Sequence, residues 1–149
     1  MPKASLNDKL HSLKACRKFV ETEKGRGVIP EPLEYDEIMN LIPERKLITV
    51  DEIKSFLSKK HNVDFTDGMA TGIFVNLAAN ASKEREMLGN TDITPYWRTL
   101  KAKGELNEKY PGGMEGHKLL LEAEGHTVIQ KGKRYFVEKY EDKLMVLQL

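Results

Sequence analysis

Residues 94–125 read TPYWRTLKAKGELNEKYPGGMEGHKLLLEAEG, and this stretch decides the fold. Its centre is Pro95-Tyr96-Trp97-Arg98, which holds the only tryptophan of the chain. A Lys-dotted segment follows, with turn signals at Lys103-Gly104 and at Tyr110-Pro111-Gly112-Gly113. Thr99-Leu100 suits extended backbone. Residues 114–123 suit a helix that turns Leu120 and Leu121 inward, with Gly125 as its C′ residue. An aromatic pair beside an arginine, on a loop flanked by lysines, is equipped to stack on a base and hold a phosphate. The stretch contains no cysteine, no Ser–His pair and no metal-ligand cluster. It reads as a binding site without a nucleophile.

Upstream, Thr49-Val50-Asp51-Glu52 is a capping box, and Ile53, Phe56 and Leu57 recur at helical spacing behind it. A helix is expected over residues 51–60, then the turn HNVDFTDG at 61–68. A further helix begins near Met69, carries Ile73, Phe74 and Leu77 inward, and ends around Asn80 or Ala81. The pair makes a helix-turn-helix candidate. The polar segment SKEREMLGNTD, residues 82–92, reads as a linker. At the start of the chain, Ser5-Leu6-Asn7-Asp8 is another capping box. The spacing of Leu6, Leu10, Leu13, Cys16, Phe19 and Val20 predicts a helix over 6–22 with Cys16 on its apolar stripe. GRGVIPEP, residues 25–32, reads as a linker, and residues 35–42 as a short amphipathic segment stopped by Pro43. HTVIQ and RYFVEKY flank Lys131-Gly132 and suggest a β-hairpin. The final KLMVLQL is another strand or a docking tail.

The totals set the frame. A chain of 149 residues suffices for one ordinary domain with a real core. No run approaches the ~18 apolar residues needed to span a bilayer, and the first residues lack the apolar core of a signal peptide. One cysteine excludes an intramolecular disulfide and points to a reducing compartment, so the expected location is cytoplasmic, away from any membrane. Charge is unevenly spread. Residues 1–30 hold seven Lys/Arg against three acids, residues 31–53 two against seven, and the rest fifteen against thirteen. A mildly basic C-terminal part permits DNA binding without demanding it.

The order of these parts resembles the DNA-binding domain of the alkylguanine-DNA alkyltransferase family, and more closely its alkyltransferase-like relatives. The family has a Thr-Tyr-Gly-(Asp/Glu)-Ile helix start, an Arg-Ala-Val-Gly recognition helix, a Pro-Cys-His-Arg loop, glycines in a wing and a helix ending in Glu-Gly. Here the matching residues are Thr49-Val50-Asp51-Glu52-Ile53, Met69-Ala70-Thr71-Gly72, Pro95-Tyr96-Trp97-Arg98, then Gly104, Tyr110, Gly112, Gly113 and Glu124-Gly125. The resemblance covers about residues 43–126. It implies an α+β, mainly α, winged helix-turn-helix domain there, preceded by an N-terminal helical extension (1–42) and followed by a C-terminal hairpin and tail packed on it (127–149).

The departures from the pattern carry the functional expectation. Tyr96 stands at the reactive cysteine and Trp97 at its activating histidine, so no enzyme is expected: thiolate attack needs a sulfur and a neighbouring base. Alkyltransferase-like proteins also lack this cysteine; they bind alkylated DNA and flag it for excision repair. The resemblance therefore implies a non-enzymatic protein that binds double-stranded DNA, alkylated or not, and works with a repair partner. Met69 stands at the family's intercalating arginine, where an apolar wedge can still open a base step. Val50 replaces a tyrosine that helps rotate the nucleotide.

For the pocket, the candidates are Tyr96, Trp97, Arg98, Met69, Thr71, Gly72, Asn80, Gly112, Gly113 and Glu124; for phosphate, Thr49, Lys101, Lys103 and Lys109. Alternatives stay open. Arg98 could be tied to a carboxylate such as Glu124, Tyr96 and Trp97 could be core aromatics, and Asn80 could brace the Pro95–Arg98 turn or simply cap its helix. Thr71, Asn76 and Ser82 are polar positions on or after the recognition helix. His11, His61, His117 and His126 show no ligand spacing, so neither metal nor cofactor is expected. Two other functions compete: a protein-interaction or small-ligand module reusing the fold, and alkyl transfer to Cys16.

Overall fold

Reciprocal caps start the helices where the sequence marks them. Glu52 accepts from both the N–H and the hydroxyl of Thr49 (2.9 and 2.7 Å), and Ser5 and Asp8 exchange bonds of 3.1 and 3.0 Å. The computed structural model describes residues 5–12 and 17–148 and has an α+β architecture. In chain order it contains α1 (Leu6–Ser12), β1 (Lys18–Thr22), β2 (Gly25–Ile29), α2 (Pro32–Asn40), β3 (Ile48–Thr49), α3 (Val50–Lys60), β4 (Phe65–Thr66) and α4 (Gly68–Met87). A 3-10 turn (Tyr96–Arg98), β5 (Thr99–Leu100), α5 (Gly113–Ala123), β6 (Val128–Lys131) and β7 (Arg134–Val137) complete it.

The N-terminal part departs from the expected helix. Lys18–Thr22 is a strand, paired antiparallel with the segment read as a linker, Gly25–Ile29. Phe19, Val20 and Thr22 are aromatic and β-branched, which favours a half-buried pleated surface over a helix. Gly27 provides the second reason. A Cβ there would run into the Phe65 ring, which lies across the bare backbone where β2 pairs in parallel with β4. Cys16 and its expected place on a helical stripe lie outside the described residues.

A second difference is the length of α4, which continues through most of the expected linker to Met87. Its polar C-terminal turns are used by the chain's beginning. Glu84 accepts from the N–H groups of Leu6 and Asn7 at the start of α1 (3.0 and 3.1 Å), and Arg85 bonds Asn7 Oδ1 at 2.6 Å. A segment that looks solvated in sequence is thus a docking face for α1.

The main core joins α1 to α4: Leu10, Tyr35, Ile38, Met39, Ile48, Ile53, Leu57, Val75 and Ala78 are all buried in one cluster. α1 and α2 therefore share their core with the helix pair. A smaller cluster of Leu47, Leu100, Leu106, Leu121 and Val137 lies beneath the C-terminal hairpin, and Trp97 packs against both. β3 and β5 pair in parallel, which ties the start of α3 to the end of the Tyr96–Arg98 turn. The β6–β7 hairpin forms as expected. It braces the segment after β5, with Leu106 N–H donating to Tyr135 O at 2.9 Å and Arg134 gripping Glu105 through bonds of 2.8 and 2.6 Å. The C-terminal tail docks beside β3 through Leu47 and Met145 without forming a strand.

Candidate functional site

The Pro95–Arg98 turn is clamped from behind. Ser82 Oγ on α4 donates to Thr94 O and accepts from Thr94 N–H, both at 2.9 Å. Asp36 Oδ1 accepts from the Thr94 hydroxyl at 2.6 Å, and Arg85 donates to that hydroxyl at 3.0 Å. Ser82, rather than Asn80, braces this turn. Asn80 instead donates to Asn76 O and to Lys109 O (2.9 and 3.1 Å), which fastens α4 to the segment after β5.

Within the turn, Tyr96 is 6% exposed and meets Trp97 and Tyr110 edge-on at 5.4 and 5.2 Å. Burial, with a smaller push from the Glu86 carboxylate, raises its hydroxyl to about 12, so the phenol is un-ionised at neutral pH. Arg98 makes the structural ion pair. Its Nε and Nη2 bond the Glu124 carboxylate (2.6 to 3.1 Å), and Nη1 donates to Ile42 O at 2.8 Å. Burial alone would raise the Glu124 carboxyl. Arg98 outweighs it, aided by the Trp97 indole and the Arg45 N–H, and holds the group below the usual carboxylate range. The indole leans toward Glu124 without reaching hydrogen-bond geometry.

A groove of about 410 Å³ lies between α3, α4 and the segment after β5. Its walls are the start of α3 (Val50, Asp51, Lys54), the first half of α4 (Gly68, Thr71, Gly72, Val75, Asn76) and the segment after β5 (Lys101, Ala102, Asn107, Glu108, Lys109). Two facts shape it. Residues 68–82 carry no charged side chain, and open space surrounds the position of a Cβ at both Gly68 and Gly72. Met69 stands 78% exposed on the same stretch, with Ile73 also exposed one turn on. Lys101, Lys103 and Lys109 surround the third wall, Lys103 on a turn with φ of +64°. Lys101 meets Glu108 at 3.3 Å, and Lys54 meets Asp51 at 3.5 Å.

Of the expected site residues, Thr71, Gly72, Lys101 and Lys109 line this groove, and Met69 and Lys103 stand on exposed backbone beside it. Thr71 is nearly sealed: its hydroxyl bonds Tyr35 Oη and Asp67 O, both at 2.8 Å, so it holds α4 to α2 and has no free donor for a ligand. Thr49 is buried in its cap, and Arg98 and Glu124 are spent on each other; none of them, nor Tyr96 or Trp97, lines the groove. Gly112 and Gly113, with φ of +81° and +67°, turn the chain into α5.

Sequence reading gave His117 no role. It is fully buried, donates from Nε2 to Trp97 O at 2.8 Å and accepts from Asn107 N–H at Nδ1 (3.1 Å). Burial lowers it to about 4, against a weaker opposing effect of the Trp97 carbonyl. It pins the aromatic turn to the groove wall as a neutral ring. Among the described residues, no group of His, Cys, Asp or Glu is placed to hold a metal, and no helix is long and apolar enough to cross a membrane. Comparison of the chain with family models, curated proteins and solved structures returns no match.

Proposed function

We propose that this chain is a non-enzymatic DNA-binding protein of alkyltransferase-like type that recognises alkylated guanine in duplex DNA and marks it for repair. The observation that carries the reading is the groove. It is bounded by two of the segments that carry the resemblance, the starts of α3 and α4, and by the lysine-bearing segment after β5, and its α4 wall is uncharged and bare at Gly68 and Gly72. A helix without projecting side chains lets a phosphate-sugar backbone approach closely, and lysines at the opposite wall can then hold phosphates. In this reading α3 and α4 are the helix pair of a winged helix-turn-helix, α4 enters the minor groove, and the segment after β5 with its bracing hairpin is the wing. Met69 is the wedge that opens a base step. Tyr96 and Trp97 support the pocket from the core.

Fluorescence polarisation with site variants tests this division of labour. Met69→Ala is expected to reduce the preference for an O6-methylguanine duplex over the guanine duplex. Lys109→Ala should weaken both equally and flatten the salt dependence by about 0.9 in the log–log slope. A Met69→Ala protein with unchanged preference would remove the wedge from the account.

A protein partner is the second reading, favoured by one feature. Lys54 and Lys101 are paired with acids, while Met69 and Ile73 present apolar surface. Duplex-independent pull-down of a partner, lost in a Met69→Asp variant that no longer binds it, would support that reading over the first.

A further inference from the structure

The groove has a fixed hydrogen-bond polarity, set by a backbone group that cannot reverse. The Lys109 N–H can only donate, and it donates to Asn107 Oδ1 at 2.9 Å. The other terminal atom of that amide is therefore Nδ2, which donates to Asn76 Oδ1 at 2.8 Å. Asn76 is left with its own Nδ2 for the groove. Among the described residues no group accepts from that nitrogen, and solvent reaches it.

The relay is held rigidly at both ends. His117 accepts from the Asn107 backbone N–H, and its ring is kept in the matching tautomer because Trp97 O can only accept from Nε2. Asn76 rides on α4, whose backbone there is fastened by Asn80. Val50, Val75 and Ala102 give the groove apolar wall, and Lys101 and Lys109 stand on the segment that carries Asn107, Lys101 against Glu108 at 3.3 Å. The lysines serve phosphate. An oriented amide between apolar walls serves a flat ring with an acceptor on its edge.

We propose that Asn76 Nδ2 is the base-reading group of the groove, donating to N3 on the minor-groove edge of a purine, with Asn107 as the positioning residue that sets its polarity. The proposal rests on the DNA-binding reading above. Every purine carries N3 as an acceptor, so this contact supplies affinity for a seated base and leaves lesion choice to the wedge.

Two duplexes test it, one carrying O6-methylguanine and the other 3-deaza-O6-methylguanine, in which C–H replaces N3. The wild-type protein is expected to bind the deaza duplex about three- to tenfold more weakly, the effect of one hydrogen bond. Asn76→Ala should bind both duplexes equally. Asn107→Asp keeps Asn76 but turns it over, because the new carboxylate accepts from Lys109 N–H and demands the Asn76 Nδ2. The acceptor Oδ1 then faces the groove, and this variant too should lose the discrimination. Its added charge acts on both duplexes alike, so the ratio remains readable. Equal wild-type binding to the two duplexes, or full discrimination by Asn76→Ala, overturns the proposal. Failure to bind any duplex overturns the DNA-binding reading on which it rests.

Discussion

At the residue scale, His117 shows how a side chain can matter to the site without touching a ligand. Protonating it would require a proton on Nδ1, where the Asn107 N–H already points. The folded ring therefore stays neutral down to about pH 4, while the unfolded ring takes up a proton near its ordinary 6.5. Between those values the unfolded chain binds more protons, so stability is full above pH 6.5 and falls as pH drops toward 4. The expected loss is on the order of 3 kcal/mol, measured by urea denaturation at a series of pH values. Carboxylates held low, such as Glu124, add their losses only at the acid end of that range. His117→Gln should flatten the slope between pH 6.5 and 5; an unchanged slope would put the effect elsewhere. Nothing in the sequence signals this role, since a buried neutral histidine has no characteristic spacing. Arg98 was partly legible, because the Glu124 pairing stood among its alternatives and the structure selects it.

At the element scale, the legible helices are those with chemical punctuation. α3 has its Thr49–Glu52 box, α5 has Gly112 at its N-cap, Gly113 opening it and Gly125 after it, and the β6–β7 hairpin has Gly132 in its turn. β1 was hidden because Phe19 and Val20 continue the period of α1 by coincidence, and because its partner β2 lies in a glycine-bearing segment that reads as a linker and is itself backed by Phe65, far along the chain. The end of α4 was hidden because its polar face is covered by α1 through Glu84 and Arg85, a tertiary contact with no local signature. The first half of α4 yields a prediction in which stability and function separate. Gly72 sits in open space inside a helix, so Gly72→Ala should raise unfolding free energy by about 0.5–1 kcal/mol. The same methyl group should hold a DNA backbone away and weaken duplex binding severalfold. Thermal melting and polarisation titration on one preparation check both signs. A variant both more stable and equally tight would show that this face of α4 does not meet DNA.

At the scale of the whole molecule, α1 and α2 complete the core on which the groove rests. Leu10, Tyr35, Ile38 and Met39 are buried against residues of α3 and α4, and Asp36 holds Thr94 at the entrance to the aromatic turn. Removing four such side chains costs about 2–5 kcal/mol each, which together is as large as the usual stability of a domain, about 5–15 kcal/mol. A chain cut to residues 43–149 is therefore expected to lose its near-ultraviolet circular dichroism and to bind ANS. A cooperative melt of that fragment would show an independent unit. The resemblance covers only the part that carries the groove, so the sequence could point to a site without revealing what supports it. Whether this groove selects alkylated guanine is tested in the intact protein at low salt. Polarisation titrations should compare two duplexes that differ only in O6-methylguanine against guanine. Salt-sensitive binding to both and tighter binding to the alkylated one are expected; equal binding to the two, negligible or not, would rule selection out.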